Sequence, residues 1–165
     1  MFRTPMSLDK TQRTMTLVVS GLLVVSLAVV VLVKAAAGLG VFGVLAVVLV
    51  LAWAMSPTAL VVEDGELRVE RRAWRAMRVP LSQVASASPL NKLGGRTLRL
   101  FGVGGFFGSY GLFSNGELGK FRLYATHGGQ AVLVRRTDGE LPLVLTPDDV
   151  QGAIAAIEGR PQLTA

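Results

Sequence analysis

The apolar positions of this chain follow two patterns that hardly overlap. Residues 14–33 form a run of twenty positions without a charge, TMTLVVSGLLVVSLAVVVLV, and after Lys34 a second uncharged stretch reaches to Glu63. Twenty helical residues rise about 30 Å, the thickness of a bilayer hydrocarbon core. The many valines do not argue for strands here, because in lipid only a helix satisfies every backbone group within one segment. The pattern predicts a transmembrane helical hairpin, with spans at about 14–33 and 36–55 and an N-terminal tail of residues 1–13. A pair of core helices would need a much larger soluble protein around it. A cleaved signal peptide is the competing reading of the first run, given its basic flank (Arg3, Lys10, Arg13) and the alanines at 35–37. The run exceeds the roughly 7–15 residues of a signal core, which favours an uncleaved anchor.

From residue 56 to 160 the pattern changes to short strands broken by turns, and residues 161–165 remain as a tail. Residues 58–62 are apolar and β-branched, Asp64-Gly65 makes a turn, and 66–70 alternate with period two, as a half-buried strand does. Further strands are predicted at 74–79, 82–88, 97–101, 120–126, 131–136 and 141–145, about eight in all. The last element reads as a helix. Thr146 can cap it, Pro147 suits the first helical position, and Asp148 and Asp149 lie where the dipole favours acids. Val150, Ala153, Ile154 and Ile157 form one apolar stripe, and Gly159 and Pro161 end it. Meandering strands finished by one amphipathic helix predict a small barrel or sandwich.

Charge sets the orientation. Basic residues precede the first span and Arg68, Arg71, Arg72, Arg75 and Arg78 follow the second, so both termini are expected on the cytoplasmic side. Neither span carries an ionisable residue, which argues against a pump or channel built on the hairpin alone. Its glycines at 38, 40 and 43 offer an oligomer contact. Cysteine is absent and His127 is the only histidine, which excludes disulfides, thiolate chemistry and His-rich metal centres. Residues 56–165 hold 13 basic and 10 acidic side chains, too balanced a charge to argue for nucleic acid.

Three stretches carry a resemblance. Gly104-Gly105-Phe106-Phe107-Gly108-Ser109-Tyr110-Gly111-Leu112-Phe113, then 118–126 (LGKFRLYAT), then Leu145-Thr146-Pro147-Asp148-Asp149 resemble bacterial pleckstrin-homology-like domain proteins. The resemblance covers about two thirds of the chain. It implies a mainly-β PH-like barrel of about seven or eight strands, capped by a C-terminal helix and preceded by a transmembrane hairpin. It implies a membrane address and no reaction.

Nine glycines lie between residues 94 and 119. Their spacing fits neither a dinucleotide fingerprint, since position 107 is Phe, nor a P-loop, since 114 is Ser and 121 is Phe. The segment reads as a turning loop in which glycine supplies positive φ. Six of the eleven aromatics are Phe101, Phe106, Phe107, Tyr110, Phe113 and Phe121. Phe106, Phe107, Tyr110 and Phe113 are the candidate interaction loop, with a structural role left open beside a contact with protein or membrane. Arg68, Arg71, Arg72, Arg75 and Arg78 are the candidate contact with anionic lipid, each basic residue near such a surface being worth about 1 kcal/mol. A solvated strand face combined with positive-inside topology is the favoured reading of them, and Glu66 and Glu70 dilute the patch. His127 is expected at an exposed turn. No Gly-x-Ser-x-Gly elbow occurs, and Asp148 and Asp149 are explained by the helix start rather than by a metal.

The expectation is a binding or scaffolding module anchored in the bacterial inner membrane, without enzymatic activity or cofactor. Its partners would be membrane lipids, a membrane or cytoplasmic protein, or a second copy of itself, and not nucleic acid. An accessory subunit of a larger membrane complex and a membrane-bound enzyme with an unrecognised site are the alternatives.

Overall fold

A computed structural model describes residues 1–32, 36–91, 96–105 and 107–159. A short strand, β1 (Phe2–Pro5), precedes two helices, α1 (Lys10–Leu32) and α2 (Ala36–Met55). The β domain follows with β2 (Pro57–Glu63), β3 (Glu66–Arg71), β4 (Met77–Pro80), β5 (Val84–Leu90), β6 (Leu98–Val103) and β7 (Ser109–Asn115). It continues through β8 (Gly119–Ala125), β9 (Ala131–Arg136) and β10 (Leu143–Leu145) to the final helix α3 (Val150–Ile157).

The strands form two sheets, ordered β1-β2-β3-β4 and β5-β9-β10-β8-β7-β6. Pairing is antiparallel except between β10 and β8. The alternation read from the sequence is visible in β3, where Leu67 and Val69 are buried while Glu66, Arg68 and Glu70 are partly open. One core joins both sheets to α3. Leu60, Leu67, Val69 and Val79 come from the first sheet, Val132, Val134, Leu143 and Leu145 from the second, and Val150, Ala153 and Ile157 from the helix. A second cluster, with Phe113, Phe121, Leu123, Leu133 and Val144, uses the alternate positions and hence the other face of the larger sheet. The rings of Phe113 and Phe121 stack there at 6.3 Å.

The expected barrel is not closed. Among the described residues no ladder joins the two sheets. The break falls at Pro80, which has no N–H to continue a ladder; the chain then takes one 3-10 turn at Leu81–Gln83, and β5 leaves to pair with β9. Among the described residues ten strands replace the expected seven or eight, because two were not legible. β1 lies in what reads as an N-terminal tail, and β7 lies inside the glycine-rich segment that reads as a loop. Glycine serves pairing there: Gly102 in β6 faces Gly111 in β7, with φ of +120° and +132°. A Cβ on Gly102 would stand 2.2 Å from the Tyr110 carbonyl oxygen, and one on Gly111 2.3 Å from that of Phe101. At this facing pair the strands approach too closely for a side chain. The α3 cap is also displaced. Asp149 caps the helix by accepting from the Gly152 N–H at 2.8 Å, while Thr146 is buried and its Oγ1 accepts from the Thr126 N–H at 2.9 Å. Residues 74–76, read as the start of a strand, belong instead to the β3–β4 loop of residues 72–76.

Helix α1 is long and apolar enough to cross a membrane, and none of its apolar window is buried within the protein. α2 is also apolar, over Gly40–Met55, and largely bare before Ala52 and Ala54, which are buried: Leu17 and Val24 on α1, and Val44 and Val50 on α2, are all more than half exposed. The segment before α1 is woven into the β domain. β1 pairs with β2, Met6 is 4% exposed in the main core and donates its N–H to the Thr58 carbonyl at 3.0 Å, and Asp9 donates to the Thr126 carbonyl at 3.2 Å. The chain therefore enters α1 and leaves α2 from the same sheet.

Candidate functional site

One end of the β domain meets the roots of both helices. Asp9 caps α1, its Oδ1 accepting from the Gln12 N–H at 2.8 Å, and Lys10 and Arg13 stand exposed on the first turns. At the α2 end, Ser56 Oγ donates to the Trp53 carbonyl at 2.8 Å and closes the helix. The β3–β4 loop folds back onto this exit, with Arg72 N–H bonded to the Ser56 carbonyl at 3.0 Å and Ala73 N–H to the Ala54 carbonyl at 2.9 Å.

This geometry divides the five candidate arginines. Arg68 and Arg78 face each other across β3 and β4, and Arg68 is drawn to Glu66 at 3.0 Å. Arg71, Arg72 and Arg75 gather at the helix roots instead. Arg71 donates to the Tyr124 hydroxyl at 3.0 Å and lies 5.5 Å from that ring's centre. Arg72 sits 5.6 Å from the Trp53 ring centre, a cation–π contact. Between Arg72 and Arg75, Trp74 is 50% exposed. Both tryptophans of the chain thus flank arginines where α2 ends, which is the arrangement of an aromatic belt at a membrane–water boundary. Among the described residues none of Arg13, Arg71, Arg72 and Arg75 meets a carboxylate. The turns at the far end of the strands carry acids: Asp64, Glu117, Asp138 and Glu140.

The candidate interaction loop is split in the same way. Phe106 lies outside the described residues. Phe107 is half-buried, with φ +53°, and its N–H donates to Thr16 Oγ1 of α1 at 3.3 Å. Tyr110 and Phe113 are not loop residues but buried positions of β7. The Tyr110 hydroxyl donates to the Ala52 carbonyl of α2, and burial pushes this phenol up to about 12, with Arg71 pulling the other way. The segment is therefore a bracket that touches α1 through Phe107 and α2 through Tyr110. Outward aromatic surface lies on β6 instead, where Phe101 is 79% exposed beside Leu98 and Leu100.

His127 comes within 4.0 Å of Asp148, a neighbour that sequence distance hides. Ser7 adds its N–H and Oγ to the same carboxylate at 2.9 and 2.6 Å. The hydroxyl donates to the carboxylate and not to the imidazole, whose Nδ1 accepts from the Gly129 N–H at 3.1 Å. Serine, acid and histidine are present without the nucleophile–base contact that activates a serine. Sequence reasoning passed over Trp74 and Arg13; the available signal was a tryptophan beside arginines just past an apolar run.

A family model described as a bacterial PH domain matches residues 58–160. No curated protein and no solved structure matches the chain.

Proposed function

This chain belongs to the bacterial PH domain family, and we propose that it is a non-enzymatic module held by a two-span hairpin at the cytoplasmic face of the inner membrane. There it would bind or scaffold partners next to the bilayer. The observation that carries this reading is the weave of β1 and β2 into one sheet. A chain that enters α1 and leaves α2 from one sheet keeps both roots of the hairpin on one side, as two antiparallel spans require. The bare apolar surfaces of both helices need lipid or protein around them. The arginines at the roots, which meet no carboxylate among the described residues, and the two tryptophans suit anionic headgroups, and positive-inside topology favours the cytoplasm.

The absence of native cysteine makes the test direct. Single substitutions Asp64→Cys, at the β2–β3 turn, and Ala35→Cys, between the spans, would be probed with an impermeant maleimide in intact spheroplasts and in inverted vesicles. Position 64 is expected to react only in inverted vesicles and position 35 only in spheroplasts. Equal sidedness, or release of the protein by carbonate, would remove the two-span anchor.

A second reading, an accessory subunit of a membrane complex, is favoured by β6. It is an edge strand whose Leu98, Leu100 and Phe101 all face outward, and such an edge invites pairing with another chain, including a second copy. Purification in mild detergent with a stoichiometric partner, lost on Phe101→Ser, would support it.

A further inference from the structure

We propose that the concavity between the roots of α1 and α2 binds the phosphate group of a membrane phospholipid, held between Arg13 and Arg72. The proposal rests on the membrane-anchored reading above and adds a single defined site to it. Four segments meet there: Met6, Ser7 and Leu8 before α1, Arg13 on its first turns, Thr58 at the start of β2, and Arg72 from the β3–β4 loop. Two guanidinium groups 59 positions apart in sequence line one hollow, and among the described residues neither has a carboxylate partner. Like charges gathered without a counterion repel, so the hollow favours an anion.

Nearby acids form no ion pair with either guanidinium: Asp9 caps α1 through the Gln12 N–H, Glu70 pairs with Arg3 at 2.8 Å, and Asp148 holds Ser7 and stands 4.0 Å from His127. Arg72 is positioned in advance: its main chain is tied to Ser56, its Nε donates to Ser56 Oγ at 3.4 Å, and its Cζ lies 5.6 Å from the Trp53 ring centre. The two Nη groups remain as donors, and a guanidinium fork matches phosphate oxygens better than an ammonium does. Height supplies the source. The uncharged run of α1 begins at Thr14, directly after Arg13, and Trp53 lies in the last turn of α2, so the hollow stands at headgroup level. The half-buried Leu8 gives the rim an apolar side, which the acylglycerol part of a lipid can cover and a free phosphate cannot.

The test uses the full chain in nonionic detergent. Delipidated wild type, Arg13→Gln/Arg72→Gln and the charge-keeping Arg13→Lys/Arg72→Lys would be titrated with phosphatidylglycerol and followed by native mass spectrometry. Arg78→Gln, on the outer sheet face, is the control. One lipid per wild-type chain is expected, with Arg78→Gln unchanged and the Gln pair bound about tenfold or more weakly. The Lys pair should be intermediate, which shows that loss in the Gln pair is not misfolding. Equal lipid retention by wild type and the Gln pair would overturn the site. A parallel arm titrates inorganic phosphate against chloride at equal ionic strength and reads the melting temperature. Stabilisation by phosphate without lipid retention would overturn the lipid source and assign the hollow to a soluble phosphate compound. Carbonate release of the protein would sink the anchor reading, and the phosphate arm would still report on the site.

Discussion

Removing the hairpin should leave a folded soluble domain only if residues 1–8 stay attached. Two versions separate the possibilities: residues 56–159 alone, and residues 1–8 joined to 56–159 by a short Gly-Ser linker in place of 9–55. The link is short because Met6 already bonds to Thr58. In the lone fragment the cavity left by Met6 costs about 3 kcal/mol, within the range for emptying a buried methionine site. Loss of the Asp149 N–H bond to Thr4 Oγ1, at 3.1 Å, adds about 1 kcal/mol, and loss of the Ser7 bonds to Asp148 a similar amount. The ladder to β2 goes as well, leaving four residues of β2 as an open edge. About 5 kcal/mol is comparable with the whole stability of a small domain. The linked version should therefore melt cooperatively by circular dichroism, while the lone fragment melts at least 15 °C lower or binds a hydrophobic dye, at about 4 °C per kcal/mol. Melting of the two within about 3 °C of each other would refute the argument, as would failure of the linked version to fold.

Other expectations follow from single contacts. Gly111→Ala would drive a methyl group into the Phe101 carbonyl, so β6 should detach; hydrogen exchange over 98–103 should accelerate by at least about tenfold, and unchanged protection would show that the strands can separate without loss. Tyr110 is raised by burial to about 12 against an ordinary value of 10, so its contribution is complete below pH 10 and lost as pH climbs toward 12. Tyr110→Phe should lower stability at neutral pH by about 1 kcal/mol, through the bond to Ala52, and flatten the fall between pH 10 and 12. An alkaline limb identical in the variant would assign that fall to other groups. Arg72→Ala should weaken the β3–β4 loop's hold on α2 and change the emission of Trp53, read against a Trp74→Phe background; no change would mean that the cation–π contact is not kept.

Much of the fold is legible locally. An uncharged twenty-residue run and a period-two strand report their surroundings through composition alone, because the solvent each faces is uniform along the segment. Thus β3 stands where the pattern puts it, α1 covers the first uncharged run as far as Leu32 but begins earlier, at Lys10, and of the predicted stripe Val150, Ala153 and Ile157 are buried and Ile154 partly so. The Asp149 cap missed by three positions because Thr146 found a stronger partner in Thr126, 20 residues away. β7 was illegible because glycine is a breaker by propensity, and only the facing Gly102 turns Gly111 into a pairing residue.

The chain's own pattern determined that its first part is apolar and helical and that the rest is strands closed by a helix. Tertiary structure alone decided that β1 belongs to the sheet and that the ladder opens at Pro80. It also decided that Arg71, Arg72 and Arg75 part from Arg68 and Arg78. These were set by contacts between segments far apart in the chain, as in Arg71 with Tyr124, 53 positions away, and Ser7 with Asp148, 141 away. Periodicity records only which way a residue faces, and not what it meets.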